Sequence, residues 1–459
     1  MSPEIPPAPP VPSALPTARW GGVYAAATAV FGLATAAAFF WPVAGAGLTA
    51  AALLVIIAGV AAGSGRAAAG LLGLRGPEEG AKTVVGMTLG LGLLSLSALA
   101  LAALGLFRTW TLCALLAVLW LAGFSELRAA LRGCRLPDPW RSRPLAAAGI
   151  LGALGLTFWL TWVPPHQYDS LVYHLALPAA YLRAGGLTAA DLPVFAHFPQ
   201  NGEMLFTVAL ALKSDLLAQM LMWLASALSV AWLWTMAGAE IAPEARLLGA
   251  LLLATHTAVM LLASTTYIDP LVMLWTTAAV LLFWRWRRES AGAPRSWLGL
   301  SAVFAGLALG AKYTAGITAG ALGLILVKDW LMGPAGGRRA RAGDLVFFVG
   351  VTSAVFLPWL VKNACMAGDP VFPFFYQWFP ATRAGWPAED ARRYFAVLTE
   401  YGHGGAWPRA LLALPGQLLG NSLRFGGGMD VLGAMGWELL FWSLPLAAWA
   451  GRTRRNRTA

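Results

Sequence analysis

Charge is what this sequence has least of. Asp, Glu, Lys and Arg together make up 12% of it, where an ordinary soluble domain carries about 25%. With 58% hydrophobic residues and a mean hydropathy of +0.66, that scarcity excludes a water-soluble enzyme with a single membrane anchor. Cysteine is nearly absent. Cys113, Cys134 and Cys365 fall in a helix, a basic loop and a polar loop, so no pair is placed for a disulfide or a metal clip. The apolar residues show no polar–apolar alternation over stretches of about ten residues, which excludes a transmembrane barrel. Phosphate-binding loops, a G-x-G-x-x-G turn between strand and helix, and metal-ligand spacings are all missing. The cofactor therefore stays undetermined: a divalent metal is compatible with the chemistry below, but no ligand set stands out.

What the chain does have is apolar runs of roughly 18 to 24 residues, each long enough to cross about 30 Å of hydrocarbon. The runs predict an all-α, polytopic bundle of about 12 spans, near 20–42, 43–62, 84–107, 109–124, 144–163, 215–238, 246–265, 267–285, 297–311, 314–332, 344–361 and 431–450. Met1 to Pro16 contains seven prolines and no basic-then-apolar pattern, so residues 1–18 read as a disordered cytoplasmic tail and not as a signal peptide. Residues 19–143 read as a four-helix membrane extension, 144–451 as the catalytic membrane region and 452–459 as a basic tail.

The net charge of +11 would suggest nucleic acid in a soluble protein. Here the basic residues lie in short loops between spans, as the positive-inside rule expects, and nucleic acid is not a partner. Clusters at Arg128, Arg132, Arg135, Arg141 and Arg143, at Arg285, Arg287 and Arg288, at Arg338, Arg339 and Arg341, and in the C-terminal tail place both termini in the cytoplasm of a multi-pass inner-membrane protein. Two long segments, 164–214 and 362–430, then fall on the outer face. They hold His166, His174, His197 and His403, four of the five histidines. Loops of that length in a compact protein are functional or disordered, and their aromatic content argues for order.

The first outer loop begins with Pro164 and Pro165, which end a span. Asp169 or Ser170 is a good N-cap for a surface helix running to about Arg183, kinked at Pro178. Asp169 and Tyr173 are i,i+4 neighbours on it, as are Ser170 and His174, so an acid, a phenol and an imidazole share its polar side. Capping alone explains Asp169, and a surface hydrogen bond explains His174. Their company with Arg183, Gln200, Asn201 and Glu203 favours a site. Lys312 is one of five lysines and sits between apolar runs. Asp269 has similar status at a span margin, where an ionisable group is a functional candidate; snorkelling and helix capping are the alternatives. The second loop adds Lys362, Arg424 beside a glycine run, and many aromatics, most of them expected as an interfacial belt.

The run Tyr168-Asp169-Ser170-Leu171-Val172-Tyr173-His174, a Gly-Gly turn, and Phe198-Pro199-Gln200-Asn201-Gly202-Glu203 resemble bacterial GT-C-type glycosyltransferases, the clan of the protein mannosyltransferases and aminoarabinose transferases. Ile268-Asp269-Pro270, Gly310-Ala311-Lys312-Tyr313-Thr314, Pro358 to Asn363 and Gly368 to Phe374 follow in the same order. The resemblance covers roughly residues 145–450. It implies a catalytic acid in an outer-face loop, a polyprenyl-phosphate-linked sugar donor, and an inverting hexosyl or pentosyl transfer to a glycan, lipid or protein acceptor in contact with membrane lipid. On that reading Asp169 is the general base, with His174 and Glu203 as further catalytic candidates. Tyr173, Arg183, Gln200, Asn201, Asp269, Lys312, Lys362 and Arg424 are the substrate-binding candidates, the cations holding the lipid phosphate. Many relatives carry an adjacent acidic pair where this chain has Asp169-Ser170, and usually one span precedes the loop, where this chain has that span and the four of the extension before it. Two other readings stand beside it. A twelve-span secondary transporter would concentrate polar groups near the midplane on repeated helices, where His256 is the one candidate. A non-catalytic lipid-processing partner is the third.

Overall fold

The structure, a computed structural model, describes residues 17–74, 79–133, 143–189, 193–236, 241–288, 295–379 and 381–401. Residues 1–49 and 50–459 form two compact units. In the first, the described residues are helical throughout. The second holds the cavity and the helices around it.

Among the described residues the chain is all-helical, as the apolar runs predict. Helix α1 spans Thr17–Leu71, α2 Glu79–Ala103, α3 Thr109–Gly133 and α4 Pro144–Leu160. Short elements follow: one π-helical turn at Ser170–His174, α5 at Ala176–Ala184, α6 at Pro193–Ala196 and α7 at Asn201–Ala211. Then come α8 at Asp215–Met236, α9 at Pro243–Thr255, α10 at Thr257–Ala263, α11 at Asp269–Arg288, α12 at Arg295–Leu309, α13 at Gly316–Met332, α14 at Arg338–Met366 and α15 at Ala388–Tyr401.

Among the described residues six helices are long and apolar enough to cross a membrane, seven if the bent pair α9 and α10 is one span. The expected spans 144–163 and 297–311 form the shorter apolar helices α4 and α12. The separate spans expected at 20–42 and 43–62 are instead one continuous helix, α1. A helix that runs on satisfies its own backbone groups, and an open backbone in hydrocarbon is costly. The span expected at 431–450 lies outside the described residues. The 60° bend between α9 and α10 falls at His256, whose ring accepts a hydrogen bond from Ala258 N at 3.2 Å and caps α10. That is a structural task for the midplane histidine.

The largest core cluster among the described residues runs from Ala50 to Trp359. Helix α2 packs on α7 and α8, and α12 is clasped by α11 and α14. Polar side chains stitch the helices together at depth, where an unpaired donor is expensive. Trp232 and Trp275 both donate to Thr88, at 2.8 and 3.2 Å, Ser301 donates to Ala279 O at 2.8 Å, and Thr352 to Ala302 O at 3.2 Å.

The two ends of the bundle differ in chemistry. At one end, ion pairs join helix termini: Arg66 with Glu79 and Glu126, Arg143 with Glu244, Arg287 with Asp329, and Arg295 with Asp344. Arg128, Arg132, Arg338 and Arg339 lie on the same helix ends. The loop following α4, the start of α11, the end of α12 and the chain after α14 meet at the opposite end, around a cavity.

Candidate active site

The cavity has a volume of about 410 Å³. Its first wall is the turn after α4. Asp169 does not cap a helix: its side chain makes no capping hydrogen bond, and the backbone passes through it into a π-helical turn. Single π turns are rare and often stand at functional sites. The freed carboxylate accepts from the Tyr173 hydroxyl at 2.9 Å, and the Tyr173 ring stacks on Phe195 with centroids 4.2 Å apart. Burial, reinforced by the Asp169 carboxylate beside it, pushes the Tyr173 pKa far up, so the phenol keeps its proton. The expected kink at Pro178 is absent, because the turn shifts the start of α5 to Ala176 and leaves Pro178 within its first turn, where no intrahelical donor is missing. Helix α5 closes at Gly185, whose φ of +73° is the left-handed conformation that ends a helix. The Gly-Gly turn of the sequence is this cap.

His174 is 3% exposed. Its Nδ1 lies 2.7 Å from Glu203 Oε1. A carboxylate only accepts, so the proton of a neutral His174 sits on Nδ1 and Nε2 is left as an acceptor at the cavity. Glu203 Oε2 is buried and has no hydrogen-bond partner among the described residues. The rings of Phe206 and Tyr267 stand edge-on to the imidazole.

The opposite wall is an ion pair. Lys312 Nζ, just past α12, donates to Asp269 Oδ1 at 2.8 Å. Asp269 opens α11, yet its side chain turns to the lysine, so the capping alternative is not the one adopted. Phe198 and Pro199 of the FPQNGE segment, Tyr267, Phe374 and Tyr394 of α15 complete the lining. Burial, then the nearby Asp169 carboxylate, raises the Tyr267 pKa.

Other candidates lie beside the cavity and serve its walls. Gln200 is buried, accepting from Tyr181 Oη at 2.8 Å and donating to Phe195 O at 3.0 Å. Asn201 is a four-way node. Its side chain donates to Leu307 O at 2.9 Å and accepts from Trp359 Nε1 at 2.9 Å and Ser95 Oγ at 3.1 Å, while its backbone N–H donates to Gly310 O at 2.9 Å. Gly310 is needed there: a Cβ would stand 2.3 Å from Asn201 Nδ2. Lys362 is buried and donates to the carbonyls of Ala196 and Phe198 at 2.6 and 3.3 Å, fixing the loop that carries His197. Arg183 is exposed at the end of α5 and does not line the cavity. Arg424 and His403 lie outside the described residues. Tyr394 is one of the second-loop aromatics expected from the sequence, whereas Tyr267, Phe195 and Phe374 are lining residues that sequence reasoning did not assign to the site. Tyr267 and Phe374 sit within or next to motifs already quoted, and nothing marks Phe195. Among the described residues no three His, Cys, Asp or Glu side chains are grouped to hold a metal.

Residues 179–369 match the family model described as dolichyl-phosphate-mannose-protein mannosyltransferase. This is a GT-C family. The match spans about two-fifths of the chain, from within α5 to Asp369, and encloses Glu203, Asp269 and Lys312. Asp169, Tyr173 and His174 stand just before it. No curated protein and no solved structure matches the chain. The resemblance carried by the sequence motifs is thus supported by an independent comparison, and the family suggests a membrane glycosyltransferase that uses a lipid-linked sugar donor.

Proposed function

We propose that the protein transfers a sugar from a polyprenyl-phosphate donor to a hydroxyl acceptor at the outer face of the cytoplasmic membrane. The observation that carries this reading is the cavity itself, in which the uncapped Asp169 carboxylate and the Asp269–Lys312 pair face the same space. The outer-face assignment rests on charge. Basic residues favour the cytoplasmic side, and in this bundle they crowd the end opposite the cavity.

The chemistry follows from the groups present. The acceptor hydroxyl gives its proton to Asp169 as its oxygen forms a bond to the anomeric carbon. The bond from that carbon to the phosphate oxygen breaks on the opposite face, and the electron pair leaves with the lipid phosphate. Lys312 meets the charge that develops there. Asp269 keeps the ammonium extended into the cavity, Tyr173 orients the Asp169 carboxylate, and the Glu203–His174 pair presents Nε2 as a second acceptor for a sugar hydroxyl. The aromatic walls suit a sugar ring and exclude water.

Purified protein should transfer label from a mannosyl polyprenyl phosphate to a crude acceptor fraction, and none from the corresponding nucleotide sugar. Equal transfer from the nucleotide sugar would refute the proposed donor class. Parallel pentosyl and hexosyl lipid donors would identify the sugar.

A further inference from the structure

At the basic end of the bundle two hollows flank the C-terminal part of α13. One, of about 500 Å³, is a groove between α11 and α13 with a floor of Val280, Leu281, Phe283, Leu322 and Ile325. The other, of about 320 Å³, lies between α13 and the start of α14 and is lined by Lys328, Asp329, Arg341 and Asp344. They meet at one ion pair: Arg287 lines the groove, and its guanidinium binds the Asp329 carboxylate of the neighbouring hollow.

The groove opens outward. Val280, Trp284 and Ile325 are 43%, 44% and 37% exposed, and they stand on the apolar stretches of their helices. Val280 and Arg287 are seven residues apart on α11, a rise of about 10 Å. The apolar trough therefore runs from the membrane interior to a cationic rim. That rim holds Arg287, and the neighbouring hollow adds Lys328 and Arg341. Lys328 is exposed one turn beyond Ile325 and lines the neighbouring hollow. Arg287, Lys328 and Arg341 outnumber Asp329 and Asp344 in the lining of the two hollows, so the rim carries a net positive charge.

We propose that this is a binding site for one bilayer phospholipid with a net-negative headgroup, an acyl chain lying in the α11–α13 groove and the phosphodiester resting on Arg287 and Lys328. Charge complementarity selects the headgroup, since a basic residue near an anionic headgroup favours it by about fivefold. The apolar trough selects a chain-bearing lipid over a soluble phosphate. The site joins the far ends of the two elements that carry Asp269 and Lys312 at the cavity, because α11 begins at Asp269 and α13 follows Lys312 within four residues.

Native mass spectrometry of the full chain, released from nanodiscs holding equal phosphatidylglycerol and phosphatidylcholine, tests this. One phosphatidylglycerol should be retained preferentially. Lys328→Gln should lower its retention about fivefold, and Val280→Trp, which fills the groove without changing charge, should abolish it while the variant elutes and melts like the parent. Equal retention of both lipids would overturn the proposal, and so would retention that survives Val280→Trp. Loss of the bound lipid on adding millimolar glycerol phosphate would assign the site to a soluble anion instead.

Discussion

Lys312→Gln separates a functional lysine from an interfacial one. Lys312 and Asp269 are 42% and 41% exposed at the side chain, so water screens their ion pair heavily. Exposed pairs of this kind contribute about 1 kcal/mol or less. The variant should therefore melt within about 4 °C of the parent. Pairing it with Asp269→Asn in a double-mutant cycle should give a coupling below about 1 kcal/mol in stability. Catalysis is a different matter, because the ammonium is the one cation placed in the cavity lining among the described residues. Removing one preorganised donor from a developing anion costs about 2.7–4 kcal/mol, or 10²–10³ in kcat. Melting followed by tryptophan fluorescence and steady-state transfer from a polyprenyl-phosphate sugar measure the two quantities on the same preparation. A variant that keeps transfer within twofold of the parent would refute the role given to Lys312. A variant that loses several kcal/mol of stability would show that the pair is structural.

Tyr173→Phe keeps the stack on Phe195 but removes the hydroxyl that positions Asp169, so kcat should fall about tenfold with little change in melting; an unchanged kcat would show that the carboxylate needs no such orientation. Asn201→Ala leaves Trp359 Nε1 and Leu307 O without partners in the core, and should destabilise by about 2–4 kcal/mol. Gly310→Ala should destabilise by about 1–3 kcal/mol through the clash at the same node. Burial, with the Lys362 ammonium nearby, holds the His197 imidazole down at about 4, whereas in an unfolded chain it titrates near 6.5. As pH falls from about 6.5 to about 4 the unfolded chain takes up a proton that the folded one refuses, so stability declines through that window by on the order of 3 kcal/mol. Melting between pH 7 and pH 4 reads this slope, and His197→Phe should flatten it.

The membrane fold was legible because hydropathy is a strong signal: every described helix that qualifies as a span lies on an apolar run seen in the sequence. What hydropathy could not supply was continuity. A Gly- and Ala-rich junction looks the same whether the chain turns there or runs on, as it does in α1. Asp169 shows a second limit. A carboxylate before an apolar helix reads as a cap; its i,i+4 partner Tyr173 was legible, but the π turn that takes the place of a capped helix start leaves no mark in composition. Polar residues in apolar surroundings were found correctly, but their partners were not. Asn201 and Lys362 have the signature of substrate ligands and turn out to bond carbonyls and an indole, since a buried polar group needs a partner of any kind. Asp269 and Lys312, 43 residues apart, were each conspicuous. Their meeting depends on α11 and α12 packing antiparallel, which no local pattern states.

The central claim is that Asp169 is the base of a lipid-linked sugar transfer. Its most direct test is transfer of labelled sugar from polyprenyl-phosphate donors by the purified protein and by its Asp169→Asn variant. The variant keeps the shape of the side chain and a hydrogen-bond acceptor for Tyr173, so it should elute and melt like the parent while transfer falls by at least about 10². Equal transfer by both proteins would contradict the account and move the base to His174 or Glu203.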